Sequence, residues 1–331
     1  MRKFLFCLLS FLILAAFPLK ALELDKDMID DMSRSLSRAL PPTIVGPDDR
    51  EEITGKAEGA EKAAVILDIT DRDGLSWKCS GAMIGYKTVL TAAHCITDER
   101  GRYAQEVTVY AVGLPEQEKT EDTEEPQENT EPLDPKTAEL VKKLREAWDE
   151  ALPDGTKFPN AKAKAIWVPQ EYKKAVSNND IAEQDNYDYG TLFLESELGK
   201  DTGVLGLKVL SEKEFADINI VTIGRGKDKK DYSLWRSPGR IKKDDVMLSL
   251  NLILFDADVL EGNSGGPIMR KSNPTNIIAL ANGQLKNVDY VSEGCAPNFA
   301  LPIRQEIVDH INKVKKGVED GFKSHPLPKD K

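Results

Sequence analysis

Three short segments carry residue types that together could perform acyl transfer. The first is Gly262-Asn263-Ser264-Gly265-Gly266-Pro267. A serine that attacks a carbonyl needs donors for the oxyanion it creates. Glycines on both sides of Ser264 allow a tight turn that aims the backbone N–H groups of Gly262 and Ser264 into one small hole. The second segment is Thr91-Ala92-Ala93-His94-Cys95. A serine hydroxyl is a poor nucleophile until a base takes its proton, and histidine has a suitable pKa. Only three histidines occur. His310 falls on the polar side of a C-terminal helix and His325 in a charged tail, which leaves His94 as the base. The third segment is Asn186-Tyr187-Asp188-Tyr189-Gly190-Thr191-Leu192. Asp188 stands at the mouth of an apolar strand, where a buried acid could accept the second imidazole N–H. Asp180, Asp185 and Asp201 are rivals by proximity but read as solvated loop charges.

Short apolar runs between turns would have to position these groups. Strands are expected at 63–69, 76–84, 89–92, 107–112, 165–168, 190–194, 218–223, 247–256, 267–269 and 277–281. A hairpin turn at Asp71-Arg72-Asp73-Gly74 joins the first two, and its aspartates miss the spacing of a calcium loop. Helices are expected from Thr137 to Ala151 and at the C-terminus, where Ile303, Ile307, Ile311 and Val314 face inward. This pattern is that of a β-barrel or sandwich.

The N-terminus reads as an export signal over residues 1–21, with Arg2 and Lys3 before an apolar run from Phe4 to Phe17. Residues 22–42 read as a helical propeptide that Pro41-Pro42 ends. Export implies an oxidising compartment, so one disulfide and one odd thiol are expected among Cys79, Cys95 and Cys295. A Cys79–Cys95 bridge would close the loop that presents His94. The formal net charge of -11 argues against nucleic acid as a partner. Much of that charge lies in a low-complexity stretch, residues 115–135, read as a surface insertion.

The order His94, Asp188, Ser264 with these flanks resembles the trypsin-like serine peptidases. The similarity is greater to their bacterial glutamyl endopeptidase branch. It rests on Ile44-Val45-Gly46-Pro47-Asp48-Asp49-Arg50, on Trp167-Val168-Pro169-Gln170-Glu171-Tyr172, on Tyr187-Asp188-Tyr189 and on Asn263, and it spans about 43–315 apart from the insertion. Asn298-Phe299-Ala300-Leu301-Pro302 resembles that branch's last strand. The resemblance implies an all-β, chymotrypsin-like fold: two antiparallel six-stranded β-barrels with a C-terminal α-helix and the site between the barrels. It implies a monomeric endopeptidase acting on proteins or peptides, with no metal or organic cofactor. The export signal implies a secreted or periplasmic protein with no stable membrane association, and residues 316–331 read as a charged tail. The rival reading is a catalytically silent binding protein on the same fold.

Two features depart from the branch. Its pocket histidine is missing from Ile277-Ile278-Ala279-Leu280-Ala281-Asn282-Gly283, and Val259 replaces a hydroxyl residue five before the serine. Six before the serine stands Asp258, where an acid in trypsin-like enzymes pairs with lysine or arginine. Asp258, Asn282 and Gly283 are expected to line the substrate pocket, with cleavage after basic residues; the alternative is that Asp258 is a loop aspartate, since the glutamyl branch also often carries an acid there.

Overall fold

The computed structural model describes residues 44–45, 47–115, 158–284, 298–316 and 324–328. The expected signal, propeptide and 137–151 helix, nearly all of the expected acidic insertion, and Cys295 lie outside the described residues.

Six strands close a barrel. They are β2 (Ala64–Thr70), β3 (Ser76–Gly85), β4 (Thr88–Thr91), β5 (Glu106–Tyr110), β6 (Asn160–Trp167) and β7 (Gly190–Leu194). The pairing runs β6-β5-β2-β3-β4-β7 and returns from β7 to β6. Alternation explains which face turns inward. In β6, Ala161, Ala163 and Ala165 are buried, while Asn160, Lys162 and Lys164 face water. The Asp71 turn is as expected: its carboxylate accepts the N–H groups of Asp73 and Leu75, both at 2.8 Å.

The second sheet comprises β1 (Glu51–Glu52), β8 (Gly206–Leu207), β9 (Ile218–Gly224), β10 (Trp235–Ile241), β11 (Val246–Met247), β12 (Leu252–Phe255), β13 (Pro267–Arg270), β14 (Asn273–Gln284) and β15 (Asn298–Pro302). Its order is β1-β10-β9-β13-β14-β15-β12-β11, with β8 parallel to β14. The expected second closed barrel is therefore not formed by continuous ladders. Closure would need β10 against β12. There Asp256 N donates to Arg240 O at 3.2 Å, but Arg240 N turns to the Asp256 carboxylate at 2.5 Å, which interrupts the ladder. The expected 247–256 strand is also broken. Leu248–Leu250 form a 3₁₀ turn that ends at Asn251 with φ 53°, separating β11 from β12.

Helices α1 (Gln170–Asn178) and α2 (Ile181–Asn186) precede β7, and α3 (Gly199–Thr202) and α4 (Glu212–Phe215) are single turns. The last helix, α5 (Gln305–Lys316), buries Ile307, Ile311 and Val314. Beyond it His325–Pro326 form β16, which pairs with β6, and His325 stacks on Tyr103 at 4.9 Å. Part of the tail is thus docked on the barrel. No helix among the described residues is long and apolar enough to cross a membrane.

Cys79 and Cys95 are joined by a disulfide across a Cα–Cα distance of 6.0 Å. It ties β3 to the turn that carries His94. With a sequence separation of 16, its loss should lower stability by about 3 kcal/mol. Thermal unfolding of a Cys79→Ser/Cys95→Ser variant reads this as a clear drop in Tm, and an unchanged Tm would contradict it.

Candidate active site

Strand pairing brings His94 to Asp188. Thr91, the last residue of β4, pairs with Gly190, the first of β7. Three residues after Thr91 comes His94, in a 3₁₀ turn over Ala93–Cys95. Two residues before Gly190 comes Asp188, in the short link after α2. The two ladder ends thus deliver the base and the acid to one edge of the barrel.

Asp188 is buried and holds the histidine at two points. One carboxylate oxygen accepts the His94 backbone N–H at 2.9 Å, and the other lies 2.6 Å from His94 Nδ1. That second oxygen also accepts Asn282 Nδ2–H at 3.1 Å. The imidazole is half-exposed, at 39% of its side-chain surface, while Asp188 is at 8%. Burial lowers the pKa of His94, and the Asp188 charge and hydrogen bond more than reverse this, so it stands above the ordinary histidine value. A base must be neutral to accept a proton. Activity that depends on His94 should therefore fall as pH drops through a pKa above about 6.5, and kcat/KM against pH reads it. An acid limb below that value would contradict the pairing.

Ser264 comes from the second sheet, in the turn before β13. Its hydroxyl donates to the Asn282 carbonyl at 3.3 Å. The turn is tied back on itself: Gly266 N–H donates to Asn263 O at 2.9 Å, and Gly265 N–H to Ala281 O at 2.7 Å. It also lies hard against the barrel. A Cβ on Gly265, whose φ is 77°, would stand 2.1 Å from Thr91 Oγ1 and 2.5 Å from Ser80 O. Only glycine fits that approach.

Two N–H groups in the turn remain for a ligand. The Glu261 carbonyl accepts Lys227 N–H at 2.8 Å. Since a trans peptide places N–H opposite C=O, the Gly262 N–H points away from Lys227. Among the described residues neither the Gly262 nor the Ser264 N–H has an acceptor within the protein. Gly262 takes φ 100°, which favours glycine. The arrangement offers a hydroxyl, a base held by a buried acid, and two unspent donors.

Asn282 sits behind the acid. Its side chain, expected to line the pocket, turns to Asp188, and its own carbonyl holds the Ser264 hydroxyl. Gly283 lies in β14 opposite Phe299, where a Cβ would meet the ring at 2.9 Å. Asp258 also differs from the expected unpaired floor. It is 2% exposed and accepts the N–H groups of Val45 at 2.6 Å and Asp49 at 3.4 Å. The rival acids are accounted for as well, with Asp201 exposed in the single turn α3. Asp180 caps α2 by accepting Glu183 N–H at 3.2 Å, and Asp185 lies within that helix rather than in a loop. His310 is not simply solvated, since its Nδ1 is 2.6 Å from the hydroxyl of buried Tyr189.

The family model described as Trypsin matches residues 53–134, a stretch that includes His94. With the chymotrypsin-like fold, this match supports a trypsin-like serine endopeptidase near the glutamyl endopeptidase branch. A glutamyl endopeptidase of Bacillus licheniformis is 23% identical over 287 residues, covering 84% of this chain and 70% of that enzyme. A protein of Bacillus subtilis named extracellular metalloprotease is 19% identical over 282 residues, covering 85% of this chain and 72% of its own. Among solved structures, a Glu endopeptidase in complex with MPD superposes with a TM-score of 0.55 at 18% identity, covering 83% of this chain and 100% of that one. The second relative's name raises the question of a metal. Among the described residues Cys79, His94 and Cys95 do cluster at ligand distance, but the two sulfurs are bonded to each other and offer no thiolate.

Proposed function

We propose that the protein is an exported endopeptidase that hydrolyses peptide bonds through an acyl-enzyme on Ser264. His94 takes the Ser264 proton as the hydroxyl attacks the carbonyl carbon. Asp188 accepts the Nδ1–H and supports the imidazolium. The Gly262 and Ser264 N–H groups hold the oxyanion. His94 then protonates the leaving amine, and water releases the acyl group by the same steps in reverse. The observation that carries this reading is the pair of unspent N–H groups beside a hydroxyl, on a turn packed against Thr91 and Ser80 of the barrel, at whose edge His94 and Asp188 meet. Export fits a chain whose bridged cysteines hold its base in place.

Specificity is proposed for basic residues before the scissile bond, through the negative charge of Asp258. Because that charge already holds Val45 and Asp49, Asp258→Ser should also loosen the N-terminal segment and lower the Tm. Cleavage profiling on a peptide library, wild type against Asp258→Ser, tests the proposal. Loss of the basic preference in the variant supports it. Cleavage after glutamate by the wild type, as in the name of the Bacillus licheniformis relative, overturns the Asp258 assignment.

A further inference from the structure

The oxyanion turn belongs to the second sheet and the base to the barrel. One fully buried barrel residue, Ser80 of β3, touches the turn and Thr91 of the strand that leads to His94. Its N–H donates to the Ser264 carbonyl at 2.9 Å. Its hydroxyl donates to the Gly262 carbonyl at 2.7 Å and accepts Arg225 N–H at 2.9 Å. Its own carbonyl accepts the Thr91 hydroxyl at 2.7 Å, three residues before His94. Glycines open the space around it. A Cβ on Gly224 would stand 2.7 Å from Ser80 Oγ, and one on Gly266 3.4 Å from Ser80 Cβ.

These bonds bear on the two N–H groups left for a ligand. Each N–H shares its plane with the preceding carbonyl, that of Gly262 with Glu261 C=O and that of Ser264 with Asn263 C=O, because a peptide unit rotates as one plane. Lys227 fixes the carbonyl of Glu261, and Gly266 fixes that of Asn263. Ser80 holds the carbonyls of Gly262 and Ser264, and the Gly262–Asn263 peptide joins the two hole planes, with its N–H on Leu260 O at 2.9 Å. Without the Ser80 hydroxyl, the Gly262 carbonyl keeps no partner among the described residues, and the joining peptide is held only through its N–H. Arg225 also leans on this peptide, with Nη1 2.8 Å from where a Gly262 Cβ would stand.

We infer that Ser80 is a positioning residue for the oxyanion hole, acting through its hydroxyl on Gly262. The inference rests on the acyl-transfer reading above and goes beyond it, since Ser80 touches neither substrate nor the reacting atoms. A residue with this role should matter only when a tetrahedral oxyanion is present.

Ser80→Ala and Ser80→Cys test this, with rates expressed per Ser264 titrated by a fluorophosphonate so that misfolded protein does not count. Both variants should lower kcat by about tenfold or more with KM little changed. A peptide aldehyde, whose adduct carries the oxyanion, should bind more weakly by a similar factor. The affinity of a cleaved product peptide and the pH profile should not move. Equal loss of aldehyde and product affinity, or unchanged kcat per titrated site in both variants, would overturn the inference. Failure of the wild type to be titrated or to bind the aldehyde would instead refute the acyl-transfer reading.

Discussion

Ser264→Ala is expected to lower peptide hydrolysis by about 10⁴-fold or more. The fold should survive. The Ser264 side chain makes one hydrogen bond, at 3.3 Å to the Asn282 carbonyl, whereas the turn is held by backbone bonds that alanine keeps. Far-UV circular dichroism and the Tm should match the wild type. Equal activity in the variant would mean that another group is the nucleophile. A collapse of the Tm would mean that the turn depends on the hydroxyl.

A loss of similar size is expected for Asp188→Asn, about 10⁴-fold in kcat. The carboxylate now accepts from His94 N, from Nδ1 and from Asn282 Nδ2. An asparagine has one acceptor oxygen for these donors. With its amide turned to Nδ1, the ring nitrogen must accept, and the proton moves to the nitrogen that faces the serine. A base protonated there cannot take the Ser264 proton. Fluorophosphonate labelling should slow in parallel, since it needs the same activation. If labelling and turnover stay near wild type, Asp188 is a structural acid only.

Much of this geometry was legible in the sequence because it is local. His94 and Cys95 are adjacent, the glycines around Ser264 announce a tight turn, and Asp188 stands two residues before an apolar run. Strands such as β2 and β3 showed as apolar segments flanking a hairpin turn. What stayed hidden depends on distant partners. Strand β10, which carries Pro238 and Gly239, is absent from the expected strands, yet Pro238 pairs with Val221 and Gly239 makes room for Ala257. The helical run-up to Asp188 looked like polar loop, since α2 has no buried face. Asp258 is read as a pocket acid from its offset of six before Ser264, and its backbone donors are not legible there. Its donors come from Val45 and Asp49, more than two hundred residues earlier. Ser80 gave no local signal either, since its importance lies in Gly262, on the other sheet.

The account stands most directly on which atom becomes covalently modified. Wild-type protein treated with a fluorophosphonate, digested and mapped by mass spectrometry should carry a single adduct, on Ser264, formed more slowly as the pH falls below the His94 pKa. An adduct on another serine, or none on a folded and active enzyme, would contradict it.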